Sequence, residues 1–168
     1  LRRVSVLGVR SGDGPGGVPV NRTASAAGVV ESAQSPAYRL VVGYAGTTVS
    51  LTRDDLLAMP QRSEGLPIAC VEGWSASAVW TGVRLRDLLD LVDAPRGAEV
   101  EVTSLQERGA FRATLLQENF ADDDRTLVAL ALSGEPLDLD HGYPARLIAP
   151  NRPGVLQTKW LSRLEAVT

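Results

Sequence analysis

From Tyr38 onward the apolar positions fall into short regular patterns; before it they do not. Residues 38–43 (YRLVVG) and 47–51 (TTVSL) read as two strands around a glycine-containing turn. Thr52 is placed to cap a helix, with Asp54 and Asp55 in its first turn, Leu56 and Leu57 on its apolar face, and Pro60 as its stop. Residues 66–71 (LPIACV) read as a buried strand, and 73–82 as a loop holding Trp74 and Trp80. In residues 84–92 (RLRDLLDLV), Leu85, Leu88, Leu89 and Val92 recur at helical spacing, and that helix ends before Pro95.

The second half is richer in strands. Residues 99–104 (EVEVTS) alternate polar and apolar, and 111–116 pair with them across a turn at Gly109. The acidic stretch 119–124 predicts a short helix and loop. Residues 126–132 (TLVALAL) form a continuous apolar run of strand length, closed by the turn Ser133-Gly134-Glu135-Pro136. Residues 145–149 and 159–167 complete the strands, and 24–30 predict one short helix. Strands and short helices mix without a regular alternation, so the expected class is α+β (mixed α/β), not a doubly wound nucleotide-binding fold. Neither GxGxxG nor a Walker A segment occurs. Residues 1–19, rich in Gly and Pro, predict a flexible lead-in or linker, and 20–168 a single domain.

Composition changes this picture in three ways. A 168-residue chain with 44% apolar and 22% charged residues can build its own core. A net charge of −3 argues against a broad nucleic-acid surface but leaves room for a local basic pocket. The lone Cys70 excludes an intramolecular disulfide and Cys-rich zinc sites; the lone His141 excludes an HExxH centre. The chain starts at Leu1 and shows neither a signal peptide nor an apolar run near the ~20 residues of a membrane span. It reads as a fragment or processed product of a longer protein.

Two segments carry candidate chemistry. Cys70 sits in an apolar run, where a buried packing thiol, a thiolate nucleophile and a soft metal ligand are all compatible with the sequence. Residues 140–160 (DHGYPARLIAPNRPGVLQTKW) place His141, Arg146, Gln157 and Lys159 on one glycine-punctuated stretch. Taken singly, Arg146 would be a surface charge and Lys159 a snorkelling strand residue. Together these donors suit a phosphate and a polar heterocycle.

Cys70-Val71-Glu72-Gly73-Trp74-Ser75, followed by Trp80-Thr81-Gly82-Val83, resembles the molybdenum-ligand segment of the sulfite oxidase family. Gly134-Glu135-Pro136-Leu137 with His141-Gly142-Tyr143-Pro144-Ala145-Arg146 resembles its HGxPxR pattern, and Gly154 to Trp160 its Gly-x₄-Lys-Trp segment. Within the family the likeness is greatest to the bacterial protein-methionine-sulfoxide reductase branch. The resemblance implies a sulfite-oxidase-type molybdopterin-binding fold of mostly mixed β-sheets with short helices. It implies that Cys70 ligates molybdenum and serves catalysis. His141, Arg146 and Lys159 would hold the molybdopterin and its phosphate, with Gln157 and Gly154 assisting and Asn21 and Arg22 lining the cofactor. Trp74, Ser75 and Trp80 would shape the loop after the ligand.

The implied function is oxygen-atom transfer by a molybdenum-molybdopterin (Moco) oxidoreductase, with sulfoxide reduction first. Oxidation of sulfite or a similar oxyanion, or a cofactor-free sensor or binding module, are the alternatives. The resemblance further implies a sulfoxide or other small-molecule substrate, electron transfer with a separate haem or other redox partner, and an extracytoplasmic setting with a possible membrane anchor outside this chain. No nucleic acid is implied. Two departures bear on substrate. Glu72 and Trp74 stand where the sulfite-oxidising branch carries Gly-Asn-Arg-Arg, and Asn151-Arg152-Pro153 replaces more apolar residues, where Arg152 would make a small anion site.

Overall fold

The computed structural model describes residues 20, 22–69, 75–152 and 156–168, and of 66–69 and 75–77 the backbone alone. Two five-stranded sheets form the domain. The first contains β1 (Leu40–Tyr44), β2 (Thr47–Leu51), β5 (Glu99–Ser104), β6 (Ala113–Leu116) and β10 (Leu161–Val167). Their spatial order is β2-β1-β10-β5-β6. β10 is central, parallel to β1 and antiparallel to β5. Its register lines up Val42, Leu164 and Val102 across three strands, all fully buried, with Gly43, Glu165 and Glu101 one residue along on the other face. The alternation in the sequence is therefore the signature of a sheet with one dry face.

The second sheet holds β3 (Arg62–Ala69), β4 (Ser75–Arg84), β7 (Leu127–Leu132), β8 (Glu135–Pro136) and β9 (Arg146–Ile148). β7 pairs with β4 on one side and with β8 and β9 on the other. It is buried on both faces, which explains its unbroken apolar run. Val128 and Leu130 enter the main core, together with Val83, Leu147 and the buried Leu85, Leu88 and Leu89 of helix Leu85–Asp90. Leu127, Ala129 and Leu132 enter a second cluster with Trp80, Leu137 and Ile148. A bulge makes this possible: Thr81 pairs with Ala131 but Gly82 with Ala129, so Leu130 has no partner on β4 and the alternation changes phase. Leu132 is thereby brought opposite Trp80.

The helices are short: α1 (Ala24–Ala27), α2 (Val30–Gln34), α3 (Arg53–Ala58), α4 (Leu85–Asp90) and α5 (Glu118–Ala121). α3 opens with a full capping box between Thr52 and Asp55. α1 and α2 dock Ala24, Val29 and Ala33 on Trp160.

Three sequence expectations are corrected. Residues 75–82 are strand, not loop. Serines, alanines and a glycine gave them little local strand signal, but their ladder partners on β3 and β7 make β4 an interior strand. β3 begins at Arg62, before the apolar run, because it lies at the sheet edge where exposed polar residues are tolerated. The helix expected over 24–30 is two, broken at Gly28, whose φ of 72° ends α1. The expected lead-in, 1–19, lies outside the described residues.

Gly82 sits where β4 crosses the bulge, and a Cβ there would lie 2.0 Å from the Val128 carbonyl oxygen. Gly82→Ala is expected to cost about 2–3 kcal/mol or more by overpacking against backbone that cannot yield. Denaturant unfolding at unchanged slope would measure it, and a wild-type midpoint would contradict the close contact.

Candidate functional site

Strand β9 delivers Arg146 to the interior. All three residues of β9 are buried, and Arg146 is 5% exposed. Its Nη1 donates to the His141 carbonyl at 3.2 Å and its Nη2 to the Gln157 carbonyl at 3.0 Å. The guanidinium lies over the Trp80 ring, 5.0 Å from its centroid. Across the ladder Arg146 pairs with Ala129, which pairs with Gly82. Two very small residues in that row leave room for the guanidinium to reach Trp80. Burial pushes the Arg146 pKa down to about 9, still above neutral, so the charge is kept.

The turn before β9 carries His141 in a 3₁₀ helix, Leu139–His141, capped by the Asp138 side chain. His141 is 2% exposed. Gly142 follows at φ 112°, and a Cβ on it would meet the Arg146 Cβ at 2.9 Å and the Lys159 Cβ at 3.2 Å. Only glycine lets this turn press against both cationic stems. The Tyr143–Pro144 peptide is cis.

Lys159 approaches from the segment before β10. Its Nζ donates to the Arg22 carbonyl at 2.5 Å and the Asp140 carbonyl at 2.9 Å, and stacks on the Trp160 ring at 4.6 Å. The lysine thus ties the N-terminal segment to the His141 turn. Burial first, and then the charge of Arg146, push its pKa down to about 7, against a smaller upward pull from Asp140.

Gln157 and Arg152 do something the sequence did not show. The Gln157 Oε1 accepts from the Ala149 N–H at 2.6 Å, and its Nε2 donates to the Ala149 carbonyl at 2.6 Å and the Arg152 carbonyl at 2.9 Å. This side chain is spent on clasping the backbone of Ala149 and Arg152. Arg152 is 4% exposed and donates to the Leu156 and Leu115 carbonyls, tying the loop to β6. It is a strut, not the entrance anion site expected from sequence. The Arg22 side chain turns to the Ala26 carbonyl at 3.2 Å, so Arg22 meets the site through its backbone oxygen. Cys70, Asn21, Trp74 and Gly154 lie outside the described residues. Trp80 was expected to shape a loop; it is instead a fully buried strand residue beneath Arg146.

The arrangement fits an anionic, acceptor-rich group. Arg146 and Lys159 are close enough for one charge to depress the other's pKa, and neither has a carboxylate ion-pair partner among the described residues. Two fully buried donors, Arg146 Nε and Trp80 Nε1, have no hydrogen-bond partner among the described residues. Buried donors and unpaired cations are costly unless an acceptor completes them. A pterin phosphate supplies such acceptors, and His141, Arg146 and Lys159 would hold it. Sequence reasoning missed Asp140, whose carboxylate accepts from the Ala24 N–H at 2.8 Å, and Ser104, whose hydroxyl donates to the Lys159 carbonyl at 2.8 Å. Neither contact has a local signal, since the partners are 116 and 55 residues apart.

Comparison with known proteins agrees with this chemistry. The sequence model of the family described as the oxidoreductase molybdopterin binding domain matches residues 27–168. The chain is 34% identical over 114 residues to a sulfite oxidase of Arabidopsis thaliana, covering 56% of this chain and 29% of that one. It is 29% identical over 137 residues to YedZ1 of Azospira oryzae, named as a candidate protein-methionine-sulfoxide reductase subunit, covering 80% and 51%. Among solved structures it is similar to the sulfane dehydrogenase SoxCD of Paracoccus pantotrophus, with a TM-score of 0.67 and 25% identity over 77% of this chain and 38% of that one. The chain thus spans well under two thirds of these relatives.

Lys159 makes the cofactor-free protein pH-sensitive. Its pKa falls from 10.5 to about 7 on folding, so between those values the unfolded chain binds more protons and stability rises with pH. Unfolding free energies measured from pH 7 to 10 are expected to climb more steeply for the wild type than for Lys159→Met. Equal slopes would place the ammonium in water.

Proposed function

The chain belongs to the oxidoreductase molybdopterin-binding family, and from that membership we propose that it works as the molybdenum-cofactor domain of an enzyme that reduces sulfoxides. The observation that carries this reading is the buried Arg146 and half-buried Lys159, without a carboxylate partner among the described residues, beside two donors that are unpartnered there. When bound, the molybdenum centre supplies the oxygen-atom transfer and its electron changes, with the Cys70 thiolate as the protein ligand. The chain's own residues bind and orient. Arg146, held by the His141 and Gln157 carbonyls, would set its charge beside the phosphate, and Trp80 supports the guanidinium face. Lys159 adds a point charge that is restored to its ammonium form when an anion sits beside it. The Gln157 clasp holds Ala149 and Arg152 beside the strand that carries Arg146.

Reduction of a sulfoxide to a thioether takes two electrons and two protons and releases water. The electrons would come from a separate haem or other redox partner, one at a time. The setting would be extracytoplasmic, with any membrane anchor outside the chain; no helix among the described residues is long and apolar enough to cross a membrane. Oxidation of sulfite is the second reading, favoured by the likeness to the plant enzyme. Glu72 in the segment after Cys70 weighs against it, because a carboxylate there opposes a dianionic substrate. A cofactor-free module would have no use for this pair of cations.

Full-length protein from its own host is expected to carry molybdenum and pterin in stoichiometric amount and to turn over methionine sulfoxide faster than sulfite. Cys70→Ser should lose molybdenum-dependent turnover. Arg146→Gln should weaken cofactor retention about 10–100-fold, the worth of a charge-assisted hydrogen bond or two. Protein without molybdenum or pterin would leave the binding-module reading, and turnover of sulfite alone would reverse the substrate order.

A further inference from the structure

On the far side of the Tyr143–Pro144 turn lies an open cleft of about 410 Å³, walled by the end of α2, the start of β1, the start of α3 and the turn itself. That size suits a small organic ligand or one or two residues of a peptide. Arg53 lines it. Its guanidinium is stacked over the Tyr143 ring, 5.3 Å from the centroid, and its Nε is fully buried without a hydrogen-bond partner. Arg53 makes no hydrogen bond or ion pair among the described residues. Arg39 lines the same cleft, anchored through Nη1 to the Pro36 and Tyr38 carbonyls at 3.2 and 2.7 Å, with Nε and Nη2 unused. Arg62, Arg84, Arg125 and Arg163, by contrast, are each paired with a carboxylate.

We propose that this cleft is a second binding site, one for a carboxylate ligand held by Arg53 and Arg39. A guanidinium fixed by an aromatic face, with neither Nη group bonded among the described residues, is pre-organised for a planar, bidentate acceptor. Stacking on Tyr143 fixes its plane, so little side-chain entropy is lost on binding. The nearby acids select for charge number. Asp54 lines the cleft, and Asp55 is close enough to Arg39 to feel its charge, although the Asp55 carboxylate is occupied by the Thr52 N–H. With acids at its rim the cleft suits a singly charged carboxylate better than a dianionic phosphate. A second cleft of about 360 Å³ adjoins it, sharing Ser35, Tyr38 and Arg39 and lined further by Ala37 and Leu105. A carboxylate on an extended chain could therefore continue past Arg39 into a more apolar recess. The site is distinct from the phosphate cradle, since none of His141, Arg146 and Lys159 lines it. The proposal stands independently of the substrate assigned to the cofactor centre.

The test uses ¹⁵N-labelled holoprotein in its oxidised form, where the cofactor fills the phosphate cradle. Acetate, inorganic phosphate and the blocked peptide acetyl-Ala-Glu-Ala-amide are titrated in turn while the Arg53 Nε–H resonance and the Arg39 and Tyr143 amides are followed. Acetate or the peptide is expected to give saturable shifts at these groups, at least tenfold weaker in Arg53→Gln and in Arg39→Gln and unchanged in Arg96→Gln. Peptide binding tighter than acetate would identify a chain-borne carboxylate, and equal binding a free small acid. Non-saturable shifts, equal responses in Arg53→Gln, or a response to phosphate without one to the carboxylates would overturn the proposal. Thermal unfolding of both cleft variants within a few degrees of wild type ensures that lost binding is not lost fold.

Discussion

The site depends on burying a guanidinium without a carboxylate to neutralise it. A bare charge in a protein interior is prohibitive, and Arg146 is tolerated because two main-chain carbonyls and an aromatic face take up most of its field. Each of those supports arrives on a different element. The His141 carbonyl comes from the 3₁₀ turn, the Gln157 carbonyl from the segment leading to β10, and Trp80 from the second sheet. The two sheets and the turn must therefore be assembled before the cation can be held. Arg146 Nε and Trp80 Nε1 remain without a hydrogen-bond partner among the described residues.

The same demand explains the irregularities around it. A bulge in β7 changes which residues face Trp80, and a glycine at 82 lets β4 press against the Val128 carbonyl. Gly142 has to be a glycine, because its φ is left-handed and a Cβ would strike the stems of Arg146 and Lys159. These departures from ideal geometry concentrate where the sheet meets the site, as expected when backbone is shaped around a charged group rather than around packing alone.

Charge is also distributed with a purpose. The chain is acidic overall, yet two arginines without a carboxylate partner among the described residues stand on aromatic rings near one turn. Arg146 stacks on Trp80 within the domain, and Arg53 stacks on Tyr143 at the edge of a cleft. In both places an aromatic ring stands where an acid would ordinarily be. A ring steadies a guanidinium but does not use up its donors, so it leaves the cation available to a ligand in a way that a salt bridge does not.

Much of this protein was already in its sequence. Periodicity placed the one-sided strands β1, β5 and β10, the capped helix α3 and the amphipathic helix α4, because each needs only local alternation or a local cap to declare itself. That His141, Arg146 and Lys159 come together was legible because they lie on one short segment of distinctive composition. Tertiary structure decided the rest. β4 looked like a loop because its partners lie far along the chain, and a strand held by its neighbours needs little propensity of its own. Gln157 looked like a ligand-binding amide and became a clasp, because the backbone of Ala149 and Arg152 came within reach of both its donor and its acceptor. Arg152 looked like a surface anion site and became a strut for the same reason. Residue chemistry can be read along the chain, but which polar groups are already satisfied is a property of distances that only folding sets.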